Sequence, residues 1–271
     1  MIECPTCHGE NVTIDGTGEY ASSAACACQA SCEICQSVGY LFETDGDGYR
    51  TVVECRCQDL LKRVRVFNDA RIPARYADAT FGRIRVGPTN RDMQVARTRA
   101  HRFVQEYEPG TKGLLLFGPT GTGKTLLASV MLRYLVLERG VRARFIEFMH
   151  LLTALRATYG DRGRAEDLMG PLVEVPVLVI DELGKGRGSD WELSVLDELI
   201  SKRYNAERTT LFTTNYLPES DGTQQKDGKG SSGEAAKETL SDRVGVRIYS
   251  RLAEMCDPVR LYGSDQRRQK N

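Results

Sequence analysis

Eight consecutive residues have the types and the spacing that polyphosphate chemistry requires. They are Gly118, Pro119, Thr120, Gly121, Thr122, Gly123, Lys124 and Thr125. Because glycine has no Cβ, such a loop can bend so that successive backbone N–H groups point inward at a phosphate. Lys124 adds a positive charge for the β- and γ-phosphates, and the Thr125 hydroxyl is suited to bind Mg²⁺. The segment fits the P-loop pattern and predicts a site for ATP with Mg²⁺.

The elements that must position this loop are also visible in the sequence. An apolar run at 114–117 precedes it and a helical pattern at 126–138 follows it, which is the strand and helix context that a P-loop needs. A second apolar run, at 177–180, ends at Asp181 and Glu182. Such a run indicates a strand buried on both faces, and open α/β sheets bind their ligands at the carboxyl ends of these strands. We therefore predict that Asp181 holds Mg²⁺ through water and that Glu182 orients and deprotonates the attacking water.

Cysteines form a second chemical pattern, at the other end of the chain. Eight of the nine lie in residues 1–57, and the second set repeats the first at offsets of 28 and 29. The first set is Cys4, Cys7, Cys26 and Cys28, and the second is Cys32, Cys35, Cys55 and Cys57. Each set encloses two short runs around an Asp-Gly turn, which is a strong hairpin signal. Each unit thus predicts a zinc ribbon with a structural Zn(Cys)₄ site, since four sulfur ligands leave no position for water.

Alternatives to two separate zinc sites follow from the same residues. A disulfide framework is disfavoured because the P-loop indicates a reducing compartment. The spacing leaves open a different grouping, in which Cys28, Cys32 and Cys35 share one metal. His8 lies next to Cys7 and could replace a cysteine ligand, although eight cysteines already satisfy two metals.

Charge divides the chain into an acidic head and a basic body. The formal net charge is zero, but residues 1–57 hold nine acidic residues against two arginines, a net charge of −7 that leaves +7 for the remainder. A phosphate backbone would be repelled by this head, and each Zn(Cys)₄ would add negative charge. We therefore expect the head to bind a protein and the body to bind single-stranded DNA. The cationic candidates for DNA contact are Arg142, Arg144, Lys185 and Arg187.

Hydrophobic periodicity and loop composition predict the rest of the architecture. We expect a zinc-ribbon module at 1–57, a helical linker at 58–72 that ends before Pro73, and an ATPase domain at 73–271. Within that domain the patterns predict helices from about 90, over about 149–159 and over about 191–205, and strands at 144–148 and 211–214. Residues 219–238 are predicted to be a flexible loop, and Cys256 a core residue.

The predicted fold class is α/β, with a parallel sheet flanked by helices as in P-loop NTPases, plus the small zinc-ribbon domain. The N-terminus has neither a basic start followed by an apolar run nor a candidate membrane span, so we expect a cytoplasmic protein.

Several motifs together resemble a known family. They are the segment from Ile72 to Phe81, the P-loop, the strand ending at Asp181 and Glu182, the triplet Thr213, Thr214 and Asn215, the segment from Arg247 to Leu252, and the closing Gly263, Ser264, Asp265, Gln266 and Arg267. This set is similar to the AAA+ ATPases of the DnaC/DnaI/IstB group, which are bacterial helicase loaders and transposition helpers, and it extends over about 70–268. The resemblance implies that Asn215 is the sensor 1 residue and Arg267 the sensor 2 residue. It also implies that Arg251 is an arginine finger offered to a neighbouring subunit, with Arg247 as the alternative.

Taken with the cysteine-rich head, this resemblance implies an ATP-dependent switch in DNA replication. Such a protein would self-associate and bind a DnaB-type replicative helicase through its zinc-held head. A transposition helper that engages a transposase is the alternative within the same fold. Alternatives from other classes are a P-loop kinase for a small molecule, which would lack finger and sensor arginines, and a chaperone-like zinc adaptor that binds clients without ATP.

Overall fold

The computed structural model of the chain describes residues 4–29, 31–44, 46, 48–84, 86–87, 90–158, 162–186, 188–218, 238–263 and 265. The strands are β1 (Val12–Asp15), β2 (Ser22–Ala25), β3 (Tyr40–Thr44), β4 (Arg50–Glu54), β5 (Gly113–Phe117), β6 (Ala143–Glu147), β7 (Val177–Asp181), β8 (Thr209–Thr214) and β9 (Cys256–Arg260). The α-helices are α1 (Cys57–Asp69), α2 (Arg91–Glu106), α3 (Lys124–Leu137), α4 (Phe148–Ala157), α5 (Arg162–Glu174), α6 (Asp190–Asn205), α7 (Leu240–Val244) and α8 (Val246–Met255). Among these helices, none has both the length and the apolar character needed to span a bilayer.

In the described part of the chain, five strands form one parallel sheet in the order β6-β7-β8-β5-β9. Every residue of β7 and β8 is buried, as their apolar runs predict. Helix α3 is apolar on most of its surface because it packs against the strands on one side and against α1 and α2 on the other. The predicted α/β class with a parallel sheet flanked by helices is therefore confirmed.

Four elements, the helices α5, α7 and α8 and the strand β9, have no counterpart in the sequence analysis. Helix α5 occupies a stretch that is rich in glycine and charge, contains Pro171, and buries few side chains, among them Met169 and Leu172. Helix α8 and strand β9 follow in the C-terminal tail, where Cys256 begins β9 and is buried. In α5, burial of few side chains leaves a weak hydrophobic pattern, so that helix depends on tertiary packing rather than on a local signal.

Two antiparallel hairpins form the head. Hairpin β1-β2 lies in the unit that we call ribbon 1 (residues 4–28), and hairpin β3-β4 lies in ribbon 2 (residues 32–57). Helix α1 begins at the last cysteine of ribbon 2 and packs against β2, α3 and β6. Ribbon 1 therefore packs, through α1, against the body that contains the parallel sheet, and the predicted linker is an ordered helix within that contact.

Candidate nucleotide site and metal centres

The P-loop connects β5 to α3 through glycines whose conformations a side chain would not tolerate. Gly118 has φ 145°, and a Cβ there would lie 2.0 Å from the carbonyl oxygen of Leu261. Gly123, directly before α3, has φ 95°. The ammonium group of Lys124 lies at this loop and donates to the carbonyl oxygens of Gly118 (2.7 Å) and Pro119 (2.8 Å). The loop thus combines the N-terminus of a helix with a buried cation, which favours an anionic ligand.

Beside the loop, the Thr125 hydroxyl contacts the carboxylate of Asp181. Its Oγ1 donates to Asp181 Oδ1 at 3.0 Å, and Thr213 Oγ1 on the neighbouring strand donates to the same oxygen at 2.5 Å. Burial raises the pKa of Asp181, while these two hydroxyl donors act in the opposite direction. Two chain segments that are 56 residues apart therefore bring together a hydroxyl and a carboxylate, which are the oxygen ligands that Mg²⁺ prefers.

Glu182 directly follows β7 and has a left-handed backbone conformation (φ 58°). Its backbone N–H donates to Thr213 Oγ1 at 3.0 Å, and its carboxylate forms an ion pair with Lys185. Non-glycine residues rarely adopt this conformation, and they do so preferentially at functional sites.

Thr213 and Glu147 are residues of this site to which the sequence analysis gave no role. Glu147 ends β6 directly opposite Asp181, and burial together with the charge of Glu182 raises the pKa of the Glu147 carboxyl. Thr213 could have been noticed because it places a hydroxyl inside a buried strand. Glu147 carries no such local signal, since its position depends on which strand pairs with β7.

The cysteines of each repeat come together in space. The sulfur atoms of each set lie within 4.8 Å of one another, and the first set is Cys4, Cys7, Cys26 and Cys28, the second Cys32, Cys35, Cys55 and Cys57. Paired sulfurs are 3.9 and 3.6 Å apart in ribbon 1 and 3.7 and 3.5 Å apart in ribbon 2. A tetrahedron with Zn–S bonds of about 2.3 Å has sulfur separations of about 3.8 Å, so both clusters fit zinc. Cys28 is grouped apart from Cys32 and Cys35, and no cysteine in the described residues forms a disulfide.

Backbone hydrogen bonds to one cysteine of the first pair in each cluster favour the thiolate form that zinc requires. Backbone N–H groups of Cys7 and Thr6 lower the pKa of Cys4 to about 6. The N–H of Gly39 likewise lowers the pKa of Cys35 to about 7. In the opposite direction, burial and then the hydrogen bond with the Cys35 sulfur raise the pKa of Cys57 to about 12. Each cluster therefore favours its first thiolates and needs a cation to stabilise the last ones.

Comparison with known proteins identifies the family to which the chain belongs. The family described as IstB-like ATP binding protein matches residues 73–227, which is more than half of the chain. The chain belongs to this family. It is 29% identical over 159 residues to the replicative helicase loader DnaC of Escherichia coli (strain K12). This alignment covers 57% of this chain and 62% of DnaC. The chain therefore spans less than two thirds of the length of this relative.

Solved structures agree with this assignment. A crystal structure of the DnaC helicase loader aligns with a TM-score of 0.56 and 28% identity, covering 69% of this chain and 99% of that one. A crystal structure of DnaI aligns with a TM-score of 0.54 and 24% identity, covering 72% and 93%, and supports the fold. The predicted resemblance to the DnaC/DnaI/IstB group of AAA+ proteins is confirmed, whereas the cysteine-rich head lies outside the family match.

The remaining candidate residues of this IstB-like protein lie in different places. Asn215 is exposed directly after β8, next to the strand that leads into the P-loop. Arg251 on α8 donates to Asp197 Oδ1 and to Ser201 Oγ, both at 2.7 Å and both within its own chain. Arg247, one turn earlier, lies 3.5 Å from Asp197 with 74% of its side chain exposed. The sensor 2 candidate Arg267 and most of the predicted loop 219–238 lie outside the described residues.

The three DNA-contact candidates within the described residues do not form one surface. Arg142 precedes β6 and is exposed, whereas Arg144 is half-buried within that strand. Burial, and next the charge of Arg71, lowers the pKa of Arg144. Lys185 lies after β7, at the opposite end of the sheet, where it pairs with Glu182. Arg187 lies outside the described residues, so the described candidates are divided between two ends of the sheet.

Proposed function

We propose that this IstB-like protein is an ATP-hydrolysing loader of a replicative helicase and acts in the cytoplasm. It assembles with further copies of itself, binds single-stranded DNA through its basic body, and binds a DnaB-type helicase through its zinc-held head. The contact between Thr125 and Asp181 is the main observation in favour of ATP hydrolysis, because it joins a P-loop hydroxyl to a carboxylate at the end of β7, which is separated from the P-loop strand by β8. Similarity to DnaC, named as a replicative helicase loader, supports the choice of partner.

In the proposed reaction each side chain has a separate task. Lys124 exchanges the carbonyl oxygens of its own loop for the β- and γ-phosphates of ATP. Thr125 and Asp181 would hold Mg²⁺, which would neutralise negative charge on the β- and γ-phosphates. The Glu182 carboxylate first breaks its ion pair with Lys185 and then accepts a proton from the attacking water. Asn215 orients that water.

Assembly would complete the site with an arginine from a neighbouring subunit. Arg251 is our proposed finger on the basis of the family resemblance, and Arg247 is the alternative. Asp197 contacts both arginines in the single chain, so a subunit interface would have to exchange these contacts for contacts with ATP. Hydrolysis would then depend on assembly, because a finger arginine stabilises the charge that develops on the transferring phosphoryl group.

The first experiment measures ATP hydrolysis by the purified, zinc-loaded chain. We expect Lys124→Ala and Glu182→Gln to reduce the rate on the order of 10²-fold or more. Glu182→Gln should still bind ATP, since the P-loop is intact. Lys202→Ala is the matched control, because Lys202 is an exposed lysine on α6 that pairs with Glu198. Hydrolysis that survives Lys124→Ala would refute the proposed ATPase site.

A second experiment mixes inactive variants to test the finger. Arg251→Ala has an intact hydrolytic site but no finger, whereas Glu182→Gln has a finger but no base. If the finger acts between subunits, the mixture should regain activity that neither variant shows alone. Arg247→Ala in place of Arg251→Ala decides between the two arginines. The cooperative mechanism would be excluded if the rate of ATP hydrolysis per molecule did not change on dilution and was unchanged when both arginines were replaced.

The partner requires a third experiment. We expect the chain, with ATP, to bind the purified replicative helicase of its source organism and to deliver it to single-stranded DNA circles, as measured by strand unwinding. A transposition helper is the second candidate, because the family description is IstB-like. Binding to a transposase without binding to the helicase would favour that candidate.

A further inference from the structure

The two ribbons are built from equivalent strands, so their faces can be compared residue by residue. The shift of 28 places β3 on β1, and the shift of 29 places β4 on β2. In ribbon 1, Ile14 pairs with Ser23, and in ribbon 2, Phe42 pairs with Val52. These two pairs therefore occupy the same position on the same face of the hairpin.

In ribbon 1 this face holds a helix of the chain itself. Ser23 accepts a hydrogen bond at its carbonyl from Asn68 Nδ2 (3.1 Å) and donates its N–H to Asn68 Oδ1 (2.6 Å). The Ser23 hydroxyl donates to the carbonyl oxygen of Val64, and Ile14 packs against the buried cluster that contains Phe67. The helix held here is α1, which is amphipathic and carries the basic residues Lys62, Arg63 and Arg65.

In ribbon 2 the same face is exposed and has larger side chains. The exposed fractions are 50% for Tyr40, 68% for Phe42 and 60% for Val52, and we call these three residues the ribbon-2 face. The guanidinium of Arg50 lies 5.5 Å from the centre of the Phe42 ring. A contiguous group of exposed aromatic and β-branched side chains on a protein surface marks an interaction site.

Charge indicates what kind of segment this face accepts. Residues 30–57 contain five acidic residues and two arginines, a net charge of −3. A zinc ion held by four thiolates would contribute a further charge of about −2. A partner segment with basic residues around an apolar stripe complements both properties, and Lys62 of α1 already pairs with the acidic Glu54 of ribbon 2.

We propose that the ribbon-2 face binds an amphipathic helix of a partner protein, as ribbon 1 binds α1. The apolar stripe of that helix lies on Tyr40, Phe42 and Val52, and lysine or arginine residues flank the stripe. The proposal rests on the proposed function in taking the replicative helicase as the protein that carries this helix. It adds the face, the secondary structure of the partner segment and its charge.

Binding of the full, zinc-loaded chain to the purified replicative helicase of the source organism tests the face. Tyr40→Ala combined with Phe42→Ala should weaken binding by about 30-fold or more, because interface aromatics contribute most of the binding energy. Thr51→Ala is the matched control, since Thr51 is exposed on the opposite face of the same hairpin. Zinc content and the ATP hydrolysis rate confirm that each variant is folded.

The outcomes separate this inference from the function on which it rests. If the wild-type chain does not bind the helicase, the proposed function is wrong, and so is the inference that a helix of the helicase binds the ribbon-2 face. If the wild-type chain binds and the double variant binds equally well, the inference alone is overturned.

A cross-link identifies the partner segment. In the ATP-bound complex, Phe42→p-benzoylphenylalanine should label helicase residues spaced three or four apart in a helix with neighbouring lysines or arginines. Labels in a strand or loop of the helicase, on a second copy of this chain, or on DNA would overturn the proposal.

Discussion

Ribbon 1 and ribbon 2 share a cysteine framework but differ in what their strands contact. Ile14 and Ser23 of ribbon 1 pack against α1, whereas Phe42 and Val52 at the equivalent positions face solvent. The cysteine spacing thus specifies a hairpin that brings four sulfur atoms together, and it does not restrict the other side chains on the hairpin surface. The side chains between the cysteines decide whether the hairpin packs against its own chain or remains available to another.

The two ribbons also differ in how they are attached to the body, and ribbon 1 again makes the closer contact. Ribbon 1 contacts the body directly, through the backbone hydrogen bond from Ala21 to Ile72 (2.7 Å) and the ion pair between Glu10 and Arg133 (2.8 Å). Ribbon 2 is connected through Cys57, the first residue of α1, and through the ion pair between Glu54 and Lys62. Damage to ribbon 1 should therefore reach the body, and damage to ribbon 2 should not.

Loss of one zinc site should produce the largest difference in stability between the two ribbons. Structural zinc contributes about 10–16 kcal/mol of binding free energy to such small units, so Cys7→Ser and Cys35→Ser should each unfold one ribbon. Only Cys7→Ser should also lower the melting temperature of the body, by about 5–10 °C, given about 2–4 °C per kcal/mol. Calorimetry with zinc analysis by mass spectrometry measures both effects. Equal melting temperatures for the two variants would mean that ribbon 1 does not support the body.

Two phenylalanines sharpen the comparison at the level of packing. Phe67 on α1 is completely buried, whereas Phe42 is 68% exposed. Phe67→Ala should reduce the free energy of unfolding by about 3–5 kcal/mol, because it removes a buried ring and leaves a cavity. Phe42→Ala should change it by no more than about 0.5 kcal/mol. Urea unfolding of both variants checks this, and a large loss for Phe42→Ala would show that its ring stabilises the fold rather than an interface.

Local spacing was enough to predict the parts of the molecule whose chemistry is consecutive in sequence. The P-loop from Gly118 to Thr125 and the pair Asp181 and Glu182 follow from a motif, a preceding strand and the rule for strand ends. The roles of the neighbouring residues Glu147 and Thr213 could not be predicted in this way, because both residues reach Asp181 only through the strand order β6-β7-β8 in the sheet. Strand order is a long-range property that no short window of sequence contains.

The same limit explains why the two ribbons could not be distinguished from sequence. Ile14 and Phe42 occupy equivalent places in similar apolar runs, and each could be buried. Their exposure is decided by whether α1 passes over the hairpin, which is a tertiary contact. Helix α5 and strand β9 were missed for a related reason, because their packing partners lie far away in the chain.

A polar contact between ribbon 1 and α1 offers a smaller test of the comparison. Asn68 exchanges two hydrogen bonds with the backbone of Ser23, at 2.6 and 3.1 Å. Asn68→Ala should cost about 1 kcal/mol, because the lost bonds are partly replaced by water. Hydrogen exchange should become faster in ribbon 1 and stay unchanged in ribbon 2. Faster exchange in both ribbons would indicate that α1, rather than the contact with Ser23, was disturbed.

The smallest expected difference lies in the two ion pairs that attach the ribbons. Glu54 and Lys62 are both about half-exposed, so Glu54→Gln should change stability by less than about 0.5 kcal/mol. Arg133 is only 11% exposed, and its pair with Glu10 is screened less by solvent. Glu10→Gln should therefore cost more, up to about 1 kcal/mol, and the cost should persist at high salt. Double-mutant cycles with Lys62→Met and Arg133→Met separate each pair from other effects. A larger coupling energy for Glu54 with Lys62 would reverse the assignment, because ribbon 2 would then be the more firmly attached of the two.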